Sequence, residues 1–147
     1  MRYLSTVAAI ALMAGTVSLS AGSGAFAAGL TAADLAAGGG QDATFAKLSV
    51  LADAVKAGKG KIAVLLPDTQ SSARWAGVDA PGFEAAFKAA GLSKDDYIIT
   101  NAQGSPQTQQ TQAEQAITQG ASVLVIANLD SGSAAAIQAN AKAQGIV

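Results

Sequence analysis

The sequence predicts an α/β protein, a parallel sheet with helices on both faces. Three observations carry this. From Lys61 onward, apolar runs alternate with stretches of helical spacing. Each helical stretch ends on a glycine just ahead of the next apolar run, in KAAG, ITQG and KAQG. The first run, Lys61-Ile-Ala-Val-Leu-Leu66, is apolar without alternation, as a strand buried on both faces must be. The closing glycines, Gly91, Gly120 and Gly145, recur near the ~30 residues of one strand-helix-strand step.

The elements follow in order. Residues 1–27 read as a removable export signal, with Arg2 as the positive start and Val7 to Val17 as an apolar stretch within the ~7–15 residues of a hydrophobic region. Ala25-Phe26-Ala27 supplies the small residues at a cleavage site before Ala28. A membrane anchor needs roughly 20 apolar residues, which the stretch lacks. No cysteine follows it to take a lipid. Residues 28–60 read as a leader in which Phe45, Leu48, Leu51, Ala52 and Val55 give helical spacing over Ala43 to Lys56, with Asp42 as N-cap and Gly58 as the stop.

Residues 61–147 form the organised part. Pro67 and Asp68 end the first strand, and a polar loop leads to a helix with Phe83, Ala86, Phe87 and Ala90 on one face. Asp79 before Pro81 marks its start, with a short turn ahead at Arg74 and Trp75. Tyr97 to Thr100 is the second strand, and Ser105-Pro106 opens a glutamine-rich helix whose Ala113, Ala116 and Ile117 face inward while the glutamines face water. Ser122 to Ala127 is the third strand and Ser131 to Ala143 the third helix. Ile146 and Val147 resemble the opening of a fourth strand, so the chain is expected to be an incomplete lobe. Asp95-Asp96 reads as a turn.

Composition narrows the chemistry. Half the residues are hydrophobic (50%) and the net charge is -1, enough for a core with no excess charge to attract nucleic acid or acidic lipid. The nine Lys and Arg are scattered, which argues against nucleic-acid binding. His and Cys are both absent, which removes thiolate and imidazole metal sites, disulfides and every Cys/His or Ser/His catalytic arrangement. GKGK at Gly58 to Lys61 precedes its strand and lacks a following Ser or Thr, so it is no phosphate loop. No catalytic residue, cofactor or metal ligand is assigned.

Parallel sheets bind ligands beyond the carboxyl ends of their strands. The loops Pro67 to Trp75 and Asn128 to Ser131 are therefore the first candidates, and Asn101 to Ser105 the third. KIAVLLPDTQSSARW, then FKAAG, QTQQTQAEQAITQGASVLVIANLD and AKAQGIV, resembles the periplasmic sugar-binding receptors of ribose/xylose type, over about Lys61 to Val147. The Arg74-Trp75 pair is most similar to the xylose-binding branch. The resemblance implies a two-lobed periplasmic-binding-protein fold that closes on a monosaccharide, with a pentose such as xylose favoured. It implies delivery to the membrane subunits of an ABC importer, a chemoreceptor or sensor kinase as a further partner, and no enzyme; a monomer is the default expectation. It places Arg74 and Trp75 at binding positions. Asp68, Asn128 and Asp130 join them as sugar-binding candidates from their loops.

Such residues suit a sugar: an indole covers C–H faces, while Asp, Asn and Arg match hydroxyl edges. Each also has a structural reading. Trp75 could pack under its helix, Asp68 could cap a turn, and Asp130 before Ser131 could be an N-cap. Two other functions use the same features, a sugar-sensing repressor domain and an exported carboxylate-dependent hydrolase. The export signal and the lack of a basic helix-turn-helix oppose the first. The lack of a placed carboxylate pair or a GxSxG motif opposes the second.

Overall fold

The computed structural model describes residues 45–147. The export signal, its cleavage site and Asp42 lie outside the described residues. Strand β1 spans Lys61–Leu66, β2 Tyr97–Asn101 and β3 Ala121–Ile126. They form one three-stranded parallel sheet in the order β2-β1-β3. The chain thus moves outward from β1 to β2, then back past β1 to β3. Right-handed crossovers in opposite directions put their helices on opposite faces.

The packing agrees. Helix α2 (Ala80–Ala89) joins β1 to β2, α3 (Pro106–Thr118) joins β2 to β3, and α4 (Ser131–Ala143) follows β3. Ala63 and Leu65 of β1 pack with Ala113 and Ala116 of α3 and Ile137 of α4, together with Ile98 and Leu124 from the flanking strands. Strand alternation sends Val64 and Leu66 to the other face, where they are 1% and 2% exposed. That face belongs to α2: Phe87 stacks on Tyr97, the neighbour of Ile98, at 5.0 Å between ring centroids. The unbroken apolar run of β1 is thus explained by its central place between two helix layers.

Each crossover helix closes as the glycines imply, with Gly91, Gly120 and Gly145 all at positive φ. Ser105 caps α3 by accepting from the Thr108 N–H at 3.1 Å, with Pro106 just inside. The Asp95-Asp96 turn is a short 3-10 segment, Lys94–Asp96, closed by a capping box from Ser93. Val147 exchanges two backbone hydrogen bonds with β3, at 2.7 and 3.2 Å to Leu124 and Ser122, as a further parallel strand would.

Two elements differ from expectation. The leader helix is a 3-10 segment, Ala46–Leu51, running into a short α1, Ala52–Ala57. Ser49 donates its hydroxyl back to the Ala46 carbonyl at 3.0 Å, which favours the tighter turn. This stretch packs on α2. Gly58, at its end, is extended and does not form a left-handed cap. The second difference lies before α2, where Trp75–Asp79 is a π-helical turn continuous with the helix. The Ala80 N–H donates to the Trp75 carbonyl across five residues. Pro81 has no N–H to return to the ladder, so the slip falls immediately ahead of it.

Candidate functional site

The C-terminal ends of the three strands carry three loops: 67–74 after β1, 102–105 after β2 and 127–130 after β3. In the order β2-β1-β3 the switch of direction lies at β1, so the first and third loops flank the crevice where such sheets take ligands.

Side-chain amides tie the loops to one another and to α3. Asn101 donates from Nδ2 to the Asp68 carbonyl at 2.9 Å and accepts at Oδ1 from the Gln103 N–H at 2.9 Å. Thr69 donates its hydroxyl to Gln103 Oε1 at 2.9 Å. From α3, Gln112 Nε2 donates to the Asn101 carbonyl, and Gln109 reaches the loop after β3 with both ends of its amide. Gln109 is wholly buried, 0% exposed. The expectation that the α3 glutamines all face water is thereby corrected for Gln109 and Gln112: buried backbone groups at the loop ends need partners, and these amides supply them.

Asp68 is 7% exposed, and its carboxylate is turned onto its own loop. One oxygen accepts from the N–H groups of Gln70 and Ser71 at 2.8 and 2.7 Å, and the other from the Ser71 hydroxyl at 2.6 Å. The Ser71 hydroxyl and N–H hold the carboxyl below the usual carboxylate range. Asp130 does the same for α4. It accepts from the Gly132 and Ser133 N–H groups at 2.8 and 2.9 Å and from the Ser133 hydroxyl at 2.6 Å, which also holds its carboxyl low. Both acids shape loops, Asp68 as a turn and Asp130 as an N-cap.

Arg74 and Trp75 sit together at the head of α2. The Arg74 guanidinium grips Asp79 through two bonds of 2.7 Å. Residues five apart align in a π turn, whereas an α turn would swing them apart. The bidentate bond raises the Arg74 pKa and lowers that of Asp79. The α-helix starts at Asp79 as expected, with Asp79 at the N-cap position and Pro81 just inside, but Asp79 makes no cap bond because its carboxylate is committed to Arg74. The guanidinium carbon lies 4.9 Å from the Trp75 ring centroid, within cation–π range. Trp75 is half-buried, with one flank on this arginine. Asn128 is exposed and donates weakly to the Asp130 carbonyl at 3.3 Å.

Asp68, Asn101, Gln103, Asn128 and Asp130 therefore share one end of the sheet, with Arg74 and Trp75 at the far end of the loop that begins at Asp68. Asn101, Gln103 and Gln109 were not singled out from the sequence. A clue to Asn101 was its place directly after the predicted second strand, at the start of the loop ranked third; the structure extends β2 to include it. Among the described residues no three His, Cys, Asp or Glu converge to hold a metal. No described helix is long and apolar enough to cross a membrane. A groove of about 760 Å³ runs between β3 and α4, lined by Leu124, Ile126, Ile137 and Ile146. Gln138 and Lys142 of α4 also line it, and only Asn128 and Ser131 at one end reach the loops.

This parallel lobe, with its loops gathered at the carboxyl ends around β1, is the architecture of a solute-binding lobe. Residues 62–147 match the periplasmic binding protein domain, and the chain belongs to that family. It is also similar to a solved ABC transporter solute-binding protein from Clostridium phytofermentans with bound β-D-glucose. The identity is 32% and the TM-score 0.51, over 58% of this chain and 25% of the other. The chain thus spans about a quarter of the length of that protein. A search of curated proteins returned no match.

Proposed function

We propose that this chain is the first part of an exported receptor that captures a monosaccharide and passes it to the membrane subunits of an ABC importer. The observation that carries this reading is the amide-tied loop cluster at the carboxyl ends of β1, β2 and β3. Such ties hold loops in one geometry before a ligand arrives, which lowers the ordering cost of binding. Two kinds of surface are offered there. The Trp75 indole, steadied by Arg74, is a flat apolar face for sugar C–H groups, and Asn128 is an exposed amide for hydroxyls. Asp68 and Asp130 serve the sugar indirectly by holding the loops that carry these groups. Arg74 acts in the same way, through Trp75, while Asp79 holds it.

The glucose in the related structure supports a pyranose as the ligand class. The Arg74-Trp75 pair supports a pentose such as xylose within it. Xylopyranose is the glucose ring without its hydroxymethyl arm, so the two share most hydroxyl positions. The receptor works as a monomer in the periplasm after removal of residues 1–27, and it presents its sugar-closed form to the importer or to a chemoreceptor.

The test uses the mature full-length receptor. D-xylose, D-ribose and D-glucose are added separately while the melting temperature is followed. At a hundredfold excess over Kd, binding to the folded state adds about 2.7 kcal/mol. The sugar should be recovered unchanged, and xylose should give the largest shift. No shift with any sugar refutes the receptor reading. A larger shift with glucose refutes the pentose preference alone. Cleavage of a glycoside would make the protein a hydrolase, and binding to operator DNA would make it a repressor.

A further inference from the structure

Strand β1 leaves the sheet at Pro67, and a ladder position beside β3 is lost there. In a parallel pair, a residue donates its N–H to the carbonyl just before its partner and accepts from the N–H just after it. Val147 shows this on the outer side of β3, donating to the Ser122 carbonyl at 3.2 Å and accepting from the Leu124 N–H at 2.7 Å, so that it brackets Val123. On the inner side, the Ala127 N–H donates to the Leu65 carbonyl at 3.1 Å. By the two-residue alternation of a strand, the next bracketing residue of β1 would be residue 67. It would donate to the Ala127 carbonyl and accept from the Leu129 N–H, but proline has no N–H. The Pro67 carbonyl accepts instead from the Gly104 N–H at 3.0 Å.

Gln109 of α3 stands in that lost position. Its Nε2 donates to the Ala127 carbonyl at 2.9 Å and its Oε1 accepts from the Leu129 N–H at 3.2 Å. The bonds have the same sense and span as those of Val147, and here they bracket Asn128. We infer that Gln109 is a positioning residue of the sugar site: its carboxamide serves as a surrogate residue of β1 and fixes the backbone on either side of Asn128. Simple packing does not account for it, since Ala113, one turn further along α3, already fills the core against Leu65 and Ile137. A wholly buried amide is tolerated there because both of its ends are bonded. The inference rests on the proposed role of Asn128 in sugar binding.

The experiment compares full-length wild type with Gln109→Met, which keeps length and bulk but removes both bonds. D-xylose and D-glucose are the ligand probes, and the exchange rate of the Leu129 amide is read in parallel by NMR. Gln109→Met should speed Leu129 exchange and weaken sugar binding, each by about tenfold or more, because loop preorganisation is lost. A core control that leaves every loop hydrogen bond in place, Ile137→Val, should leave both unchanged. On an Asn128→Ala background, Gln109→Met should change Kd by less than about twofold, since it acts through that residue. Pro67→Ala returns an N–H to β1, so Pro67→Ala/Gln109→Met should recover part of the loss; this double variant carries the test if Gln109→Met does not fold. Unchanged Leu129 exchange, or unchanged sugar affinity in a variant of a sugar-binding wild type, overturns the inference. If wild type binds neither sugar, the receptor reading falls, while Leu129 exchange still decides whether Gln109 replaces residue 67 in the ladder.

Discussion

Gly60 and Gly120 meet at the N-terminal edge of the sheet, opposite the loop cluster, and together they separate backbone strain from close approach. Gly60 has φ +79 and Gly120 φ +89, both in the left-handed region. An L side chain there costs about 1–2 kcal/mol. The surroundings differ. A Cβ at Gly60 would come within 2.8 Å of the Gly120 carbonyl and of Ser122, whereas a Cβ at Gly120 meets nothing within 4 Å. The crowded atoms are in use: the Gly120 carbonyl accepts from the Lys61 N–H at 2.9 Å, and the Ser122 hydroxyl donates to the Lys59 carbonyl at 2.7 Å. These bonds start the pairing of β1 with β3. Gly120→Ala should therefore lower stability by about 1–2 kcal/mol from conformation alone. Gly60→Ala adds an overpacking cost of about 1–3 kcal/mol, for roughly 2–5 kcal/mol in all. Urea unfolding at constant m reads both through the midpoint. Equal losses, within about 0.5 kcal/mol, would show that the close approach carries no energy. Neither variant should alter sugar affinity once folded, because both lie at the wrong end of the sheet. A loss of affinity in either would place the site elsewhere.

Three further outcomes are expected. Asp79→Ala frees Arg74 from the Trp75 ring, so the difference emission against wild type should change and sugar should bind about tenfold more weakly; unchanged emission and affinity would return Trp75 to a plain packing role. Ile137→Ala, at a site 2% exposed against Leu65 and Ala113, should cost about 2–5 kcal/mol by urea unfolding, and a loss under 1 kcal/mol would mean that α4 does not complete this core. Asp68, Asp79, Asp96 and Asp130 all have folded pKa values below the unfolded 3.8, so their contribution is complete at neutral pH and drains away as pH falls below 3.8. The acid limb of the unfolding midpoint should thus be flatter in Asp68→Asn, and an unchanged limb would show that Ser71 does not hold that carboxylate.

The sheet was legible because β1 could hardly be anything else. Six residues without a polar face, followed by Pro67, describe a central parallel strand, and its ends fall at Lys61 and Leu66 as read. The caps were equally local, since Ser105 and the three glycines act on their own helices. The π turn was not legible, because the Arg74–Asp79 pair that accompanies it is five residues apart, a spacing no α-helical pattern anticipates. The roles of Asp68 and Asp130 could be narrowed only to a choice between ligand contact and capping. Both face serines three residues on, and the structure shows those serines bonded to them. Gln109 and Gln112 were hidden by composition. The helical period did mark them, since each lies one turn ahead of an inward-facing alanine, Ala113 or Ala116, but their polarity, shared with the whole run of glutamines, reads as a solvated face.

That concealment has a physical source which bears on how the site works. A binding loop must leave its ligand-facing groups unpaired while its backbone stays fixed, and the sheet cannot supply the fixing once its strands have ended. Here the support comes from the helix layer: α3 holds Asn101 through Gln112 and the 127–129 segment through Gln109, and Asn101 in turn holds Asp68. Movements of α3 against the sheet would thus reach both sides of the crevice at β1 together. A substitution that shifts α3, such as Ala116→Val beneath Ala63 and Ala121, should therefore disturb the β1 and β3 loops in concert. Amide chemical shifts of residues 68–71 and 127–130 would report this. A shift confined to one loop would show that the two are held independently.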